Sequence, residues 1–319
     1  MFSTKLKNYV SFKDFFHYKR VLNIFLIYFL FFFSFVFKLD SKTWEFNKIN
    51  SLEIISNDSD FGGISSLSIE NNGKNLIMLS DKGFFFKGII DRNSDNKMTN
   101  LTLTSKEKLL KSNGKIVDGK NIDSEGLAKS INGNFFISFE SNHRIMYHEK
   151  LDLPGKLLIK HPDFSKFEVN KGIETLAINS KNHLFAIPEL PSKIKRGFPI
   201  YILKNKKWSA DNLIEVSDDF QITDGTFIND NLLIILERDL DWVKGFRTQI
   251  RIIEFLEGRI NKIHKVFTSD YTSTNFEGIS IWKENDEFNK IKIILISDNN
   301  FLPFIETKIS EYELIMTEK

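Results

Sequence analysis

From about residue 45 onward the chain is a succession of short apolar runs rich in Ile, Leu, Phe and Val, separated by polar breaks. The breaks carry turn residues: Asn72-Gly73, Asn113-Gly114, Asp118-Gly119, Asn132-Gly133 and Asn229-Asp230. Apolar runs bounded in this way read as strands and hairpins. No stretch after residue 40 sustains a 3.6-residue period, and Lys106 to Lys111 offers at most one helical turn. The pattern predicts an all-β protein.

A short motif recurs on these runs. It reads Ser65-Ser66-Leu67, Glu125-Gly126-Leu127, Glu174-Thr175-Leu176, Asp224-Gly225-Thr226 and Glu277-Gly278-Ile279, with spacings of 60, 49, 50 and 53 residues. Each copy opens an apolar run that ends in a second acid: Asp81, Glu140, Glu189, Glu237 and Asp298. In an antiparallel hairpin the start of one strand lies beside the end of the next. Each copy therefore places two polar residues at the same end of one hairpin. A period near 50 residues suits a four-stranded propeller blade. Five copies predict five blades, and the joining stretches leave room for a sixth without the motif. Closure requires residues around Trp44 to Ile55 to meet Ile305 to Ile315.

In a propeller the hairpin ends converge on one channel, which would gather Asp81, Glu125, Glu140, Glu174, Glu189, Asp224, Glu237, Glu277 and Asp298 at one mouth. Crowded carboxylates disfavour joint ionisation. A hard cation such as calcium relieves this, since it takes carboxylate and amide oxygens; Asn170, Asn275, Asn299 and Asn300 accompany the acids. Interleaved bases relieve it too, and Lys82, Arg144, Lys171 and Arg238 lie beside the motif. A retained proton is the third outcome, and it suits acid–base chemistry. Each acid can equally serve only its own blade, by bonding to backbone N–H groups.

The first 40 residues are different. Residues 1–20 hold Lys5, Lys7, Lys13, Lys19 and Arg20 against Asp14 alone, and Val21 to Phe37 is apolar apart from Asn23, Tyr28 and Ser34. Seventeen residues in a helix span about 25 Å, enough for a thin hydrocarbon core. The basic flank places residues 1–20 in the cytoplasm and the rest outside it, on the periplasmic side. The exit Ser34-Phe35-Val36-Phe37-Lys38 lacks a small-residue cleavage pattern, so residues 21–37 read as an uncleaved transmembrane signal anchor.

Composition mostly excludes. Forty-four basic and 42 acidic residues leave a net charge of +2, which does not favour nucleic acid as a partner. The absence of cysteine removes disulfides, thiolate metal sites and a cysteine nucleophile. The six His show no H-x-H or H-E-x-x-H spacing, and no G-x-S-x-G, Walker or G-x-G-x-x-G motif is present. Asp91-x-Asn93-x-Asp95 begins like a calcium loop but has Asn96 and Thr102 at the Gly and Glu positions, so it reads as a solvated turn.

Several motifs together resemble the phytase-like family, also described as having esterase-like activity of phytase. They are Asp123-Ser-Glu-Gly-Leu-Ala, Phe139-Glu140 with His143-Arg144, Asn170-Lys-Gly-Ile-Glu174, Leu236-Glu237-Arg238, Asn275-Phe-Glu-Gly-Ile279 and Ser297-Asp-Asn-Asn300, with Gly62-Gly63 and Ser80-Asp81. The resemblance spans roughly residues 60 to 302. It implies a β-propeller over 45–319, phosphoesterase-type chemistry without a defined substrate, and Glu125, Glu174, Glu277 and Asp298 as site residues. Ser65 and Thr175 depart from the pattern. The expected enzyme is a membrane-anchored monomer in which Glu125, Glu174 and Glu277 are catalytic. Arg144, Lys171 and Arg238 would hold a phosphorylated small molecule, and Asp81, Glu140, Glu189, Asp224, Glu237, Asp298 and Asn299 would hold calcium. The rival is a binding propeller whose acids stabilise the ring or bind calcium without turnover.

Overall fold

The computed structural model describes residues 42–318 apart from 120–121, 193–195, 285–289 and 303–304. The basic segment 1–20 and the apolar segment 21–37 lie outside the described residues. Among the described residues no helix is long and apolar enough to cross a membrane.

Among the described residues, twenty strands form five four-stranded sheets. The chain begins with β1 (Lys42–Glu53). Blade 1 is then β2 (Ile64–Glu70), β3 (Asn75–Ser80), β4 (Phe84–Arg92) and β5 (Met98–Lys108). Blade 2 is β6 (Ser124–Lys129), β7 (Phe135–Phe139), β8 (Arg144–His148) and β9 (Lys156–Leu157). A 3-10 turn, Pro162–Lys166, precedes blade 3. That blade is β10 (Ile173–Ile178), β11 (Leu184–Pro188), β12 (Gly197–Lys204) and β13 (Lys207–Glu215). Blade 4 is β14 (Gln221–Asn229), β15 (Leu232–Asp241), β16 (Gly245–Leu256) and β17 (Arg259–Thr268). Blade 5 is β18 (Asn275–Trp282), β19 (Lys290–Asp298) and β20 (Lys308–Glu318), completed by β1 as its outer strand.

The first strand of the propeller thus closes the last blade, as the pairing of residues near Trp44 with those near Ile315 requires. Chain contacts group Trp44–Met316 into one unit. The expected helical turn at Lys106 to Lys111 does not form. Lys106–Lys108 continue β5, whose cross-strand partners Phe84–Phe86 keep it extended.

Five apolar clusters, one between each neighbouring pair of blades, fix the blade number. Blade 1 sends Leu76 and Met78 toward blade 5, against Ile294 and Ile296, and Ile77 and Leu79 toward blade 2, against Ile137 and Phe139. Blade 2 meets blade 3 through Ala128 and Ile145 against Leu176 and Ala186. Ile187 of blade 3 packs with Leu233 and Ile235 of blade 4, and Ile234 and Leu236 pack with Ile293 and Leu295 of blade 5. The contacts run 1–2–3–4–5–1, so the ring is closed at five. They also explain the unbroken apolar runs: a strand buried on both faces has no solvent face on which to alternate.

Each blade carries a β-bulge near the start of its inner strand. Register shifts fall between Ile64 and Ser66, Ser124 and Leu127, Ile173 and Thr175, Ile222 and Asp224, and Phe276 and Gly278. A bulge adds a residue opposite its partner strand and re-aims the side chains. The residues set out in this way are Ser65, Glu125, Glu174, Thr223 and Glu277.

Candidate metal centre at the propeller mouth

Four of the bulges set Ser65, Glu125, Glu174 and Glu277 on the lining of a cavity of about 210 Å³ at one end of the ring axis, while Thr223 of blade 4 is buried and donates to Leu236 O at 3.4 Å. The second polar position of each hairpin faces the same cavity: Asp81, Glu140, Glu189 and Asp298 in four blades, and Arg238 in blade 4. Gly63 makes the closest approach possible. Its φ is +57°, and a Cβ there would lie 2.3 Å from Asp81 Oδ1. In all, eight carboxylates line the mouth: Asp81, Asp123, Glu125, Glu140, Glu174, Glu189, Glu277 and Asp298. Two cationic side chains, Lys171 and Arg238, stand among them. Larger hollows open on the opposite face near Asn231 and Lys283, but among the described residues neither gathers a group of acids.

Blade 4 corrects the expected set. Its bulged residue is Thr223, so Asp224 and Glu237 stand one position away from the mouth residues of the other blades. Asp224 lies deeper, beside the axis. It accepts Ser66 Oγ of blade 1 at 3.0 Å, Ile279 N of blade 5 at 2.9 Å and its neighbour Gly225 N at 2.8 Å. Blades 1 and 4 are not adjacent, so the Ser66 bond crosses the ring below the mouth. Glu237 points away from the axis and is fully buried against Arg251 and Gln249; Arg251 Nε donates to it at 2.6 Å and Gln249 Nε2 at 2.9 Å.

Two further expected residues also lie apart. Asn299 commits its amide oxygen to the backbone N–H groups of Gly63 and Phe301, at 3.3 and 3.0 Å. It is Asn300 that lines the mouth. Arg144 packs its guanidinium over the Phe139 ring, 4.0 Å from the centroid. Glu125, Glu174 and Glu277 do come together, as do Asp81, Glu140, Glu189 and Asp298, and Lys171 and Arg238 stand beside them. Asp123 was missed as a site residue. It lies two residues before Glu125 and has no counterpart in the repeat, which is why periodicity passes over it.

Neutralisation is uneven. Lys171 Nζ lies 2.7 Å from Glu189 Oε2, and Arg238 bonds Glu277 directly and Glu189 at 3.3 Å. Asn275 Nδ2 donates to Glu277 at 2.7 Å. Asp298 accepts the Ile64 and Asn300 N–H groups at 3.1 and 2.9 Å, and Glu140 accepts Gly172 N–H at 2.7 Å. The remaining acids crowd one another. Burial, reinforced by neighbouring carboxylates, pushes Glu125 and Glu174 well above the usual range. Burial lifts Glu140 and Asp298 to about 7 and Asp81 to about 6, the latter two helped by Glu277 and Asp123 respectively. Carboxyl oxygens meet between Asp123 and Glu125 and between Glu140 and Glu174. Such pairs persist only with a shared proton or a cation.

The donor set suits a cation. Asp123, Glu125 and Glu140 offer oxygens within 4.8 Å of one another, and so do Glu140, Glu174 and Glu189. All are hard oxygen donors and Glu140 belongs to both groups, a chemistry that fits calcium, magnesium or manganese rather than zinc. Titration gives a sign that can be checked. Asp123, Glu125, Glu140 and Glu174 have raised pKa values, chiefly from burial, so between about pH 4 and pH 7 the folded chain holds more protons than the unfolded one, and stability falls as pH rises. Without divalent cations, the melting temperature should be several degrees lower at about pH 8 than at about pH 5.5, and calcium should restore it at the higher pH. Melting curves in chelator at both values check this; a higher melting temperature at the alkaline value would contradict it.

Comparison with known proteins decides the family. The sequence model of the phytase-like family, described as esterase-like activity of phytase, matches residues 59–301. The chain belongs to the phytase-like family. The match covers the mouth from Gly62 to Asn300, so these carboxylates are the acidic centre of a phytase-like propeller. No curated protein matches this phytase-like chain. Among solved structures it is similar to a protein of unknown function from Dyadobacter fermentans, at 8% identity and TM-score 0.47, over 85% of this chain and 99% of that one. It is also similar to virginiamycin B lyase from Staphylococcus aureus (11%, 0.42, 86% and 100%) and to a luciferin-regenerating enzyme (11%, 0.42, 84% and 95%). Similarity at this level says nothing about shared activity.

Proposed function

We propose that this phytase-like propeller is a hydrolase of phosphate esters that depends on a divalent cation, calcium foremost, held at the mouth. The observation that carries the reading is the pair of three-carboxylate groups sharing Glu140, with Lys171 and Arg238 at their edge. Asp123, Glu125, Glu140, Glu174 and Glu189 would hold the cation, which would supply Lewis-acid polarisation of a phosphoryl oxygen. Arg238 and Lys171 are placed to bind the remaining phosphoryl oxygens, the guanidinium by its planar fork. Asp81 and Asp298 have pKa values near neutrality, raised chiefly by burial, and face the same cavity, so they are the groups suited to exchange a proton there.

Turnover on a panel of phosphate monoesters and diesters, with calcium and with chelator, tests this. Activity should require the cation and fall at least about a hundredfold in Glu174→Gln. Absence of cation-dependent turnover would remove the hydrolase reading. A second reading, a binding propeller, is favoured by the ties that hold Asp298, Glu140 and Glu189 to backbone and bases. A cation that raises the melting temperature without enabling turnover would select it. The basic segment 1–20 and apolar segment 21–37 support membrane anchoring with the propeller outside the cytoplasm. Recovery in the membrane fraction, with the propeller cut by protease added to intact cells, is the expected result; a soluble product would contradict it.

A further inference from the structure

A second cavity, of about 420 Å³, adjoins the mouth and differs from it in chemistry. Its apolar walls are Phe167, Pro188, Leu190, Pro191, Pro199 and Tyr201. Three of the six prolines of the chain are therefore gathered around one hollow. Prolines have no side-chain rotamer freedom to lose on binding, so such a wall is preorganised. Phe167 and Tyr201 stand edge to face with centroids 6.1 Å apart, a surface suited to a flat ring. Tyr201 is itself held by its buried ring contacts with Phe164 and by a 3.4 Å hydrogen bond from its hydroxyl to Asp163. The cavity is concave and mainly apolar, with Asp163, Lys166, Glu168, Lys171 and Ser192 completing its lining, and small-molecule pockets are of this kind.

The two cavities share a wall. Lys171 lines both, and its ammonium reaches Glu189 at the mouth. Pro188 and Glu189 are successive residues at the end of β11. The first lines the apolar pocket and the second the acidic cup. A ligand with an anionic group at the mouth would thus meet an apolar recess beside Lys171.

We infer that the Phe167–Tyr201 pocket is a binding subsite for a planar aromatic or similarly flat apolar group, joined in the ligand to an anionic group that sits at Lys171. The anionic half rests on the proposed phosphate-ester reading, and the apolar half stands on the pocket alone. The ligand class is an aryl phosphate or a related ester with a flat apolar leaving group, rather than a polyhydroxylated phosphate such as a sugar phosphate.

The test is calorimetric binding of three probes to the full chain in saturating calcium: inorganic phosphate, 1-naphthyl phosphate and 1-naphthol. Leu190 is half-buried and stands outside the interblade clusters, so Leu190→Glu places a charge in the pocket with little risk to folding, and Leu190→Ala is the milder control. Both naphthyl probes should bind the wild type and lose about tenfold or more in affinity in Leu190→Glu, with a smaller loss in Leu190→Ala and no change for inorganic phosphate. If 1-naphthol shows this loss but 1-naphthyl phosphate binds no tighter than 1-naphthol, the subsite stands and the phosphate reading of the mouth fails. If neither naphthyl probe binds the wild type, or neither is weakened by Leu190→Glu, the subsite is overturned.

Discussion

Glu140→Gln should weaken calcium binding at least about a hundredfold, a loss of about 2.8 kcal/mol, while making the cation-free protein more stable near pH 8. Both signs come from one position. Glu140 belongs to both groups of three carboxylates, so removing its charge depletes every arrangement of ligands the mouth offers. The amide keeps the shape, and its oxygen can still accept the Gly172 N–H now bonded at 2.7 Å. Without a cation the same carboxylate is a burden: burial lifts its pKa to about 7, and ionising it above that costs stability. The neutral amide removes this cost. Calcium titration and melting in chelator, run side by side on the wild type and Glu140→Gln, check the crossed effect. A substitution that lowers the stability of the cation-free protein and leaves calcium affinity unchanged would make Glu140 a structural prop.

Arg251→Met should destabilise the fold by about 3–5 kcal/mol, roughly 10 °C in melting temperature for a chain of this size. Glu237 is fully buried and its two oxygens are held by Arg251 and Gln249. Arg251 also donates to Glu215 O at 2.8 Å, which ties β16 to the end of blade 3. Removing the guanidinium leaves a carboxylate in the blade without its charge partner, and one hydrogen bond from Gln249 does not replace it. Replacing both residues by apolar ones of similar volume, in Glu237→Leu with Arg251→Met, should recover most of the loss, because the orphaned charge is gone. Thermal melting of the single and double variants reads this. Calcium affinity should not change in either, since Glu237 lies outside the mouth.

Most of the architecture can be read from the chain. The runs, their turn residues and the near-50-residue spacing lead to a propeller, and the meeting of Trp44–Ile55 with Ile305–Ile315 anticipates the shared fifth blade. Blade number is harder to read. It depends on which apolar faces meet, as Ile77 and Leu79 do with Ile137 and Phe139, and strands buried on both faces give no alternation to reveal this. The site was legible in blades 1, 2, 3 and 5, where the bulged residue or its partner is an acid. It was misread by one residue in blade 4. There the acid-glycine pair Asp224-Gly225 imitates Glu125-Gly126, while the backbone places its bulge at Thr223. A bulge adds one residue without a residue-type signature, so the pattern cannot show which neighbour faces the mouth. Arg238, expected beside the acids, stands where the other blades place their second acid. The apolar pocket beside Lys171 is not visible in the sequence either, because Phe167, Pro188 and Pro199 come together only when β11 and β12 fold against the turn before blade 3.

The central claim is that the crowded carboxylates form a cation site in which bound cation replaces bound protons. Calorimetric titration of chelator-treated full-length protein with calcium, at about pH 6 in two buffers of different ionisation enthalpy, tests it most directly. Calcium should bind to the wild type with heats that differ between the buffers, showing proton release on binding, because Glu125, Glu140 and Glu174 hold protons in the cation-free state. An absence of binding, or binding with identical heats in the two buffers, would contradict it.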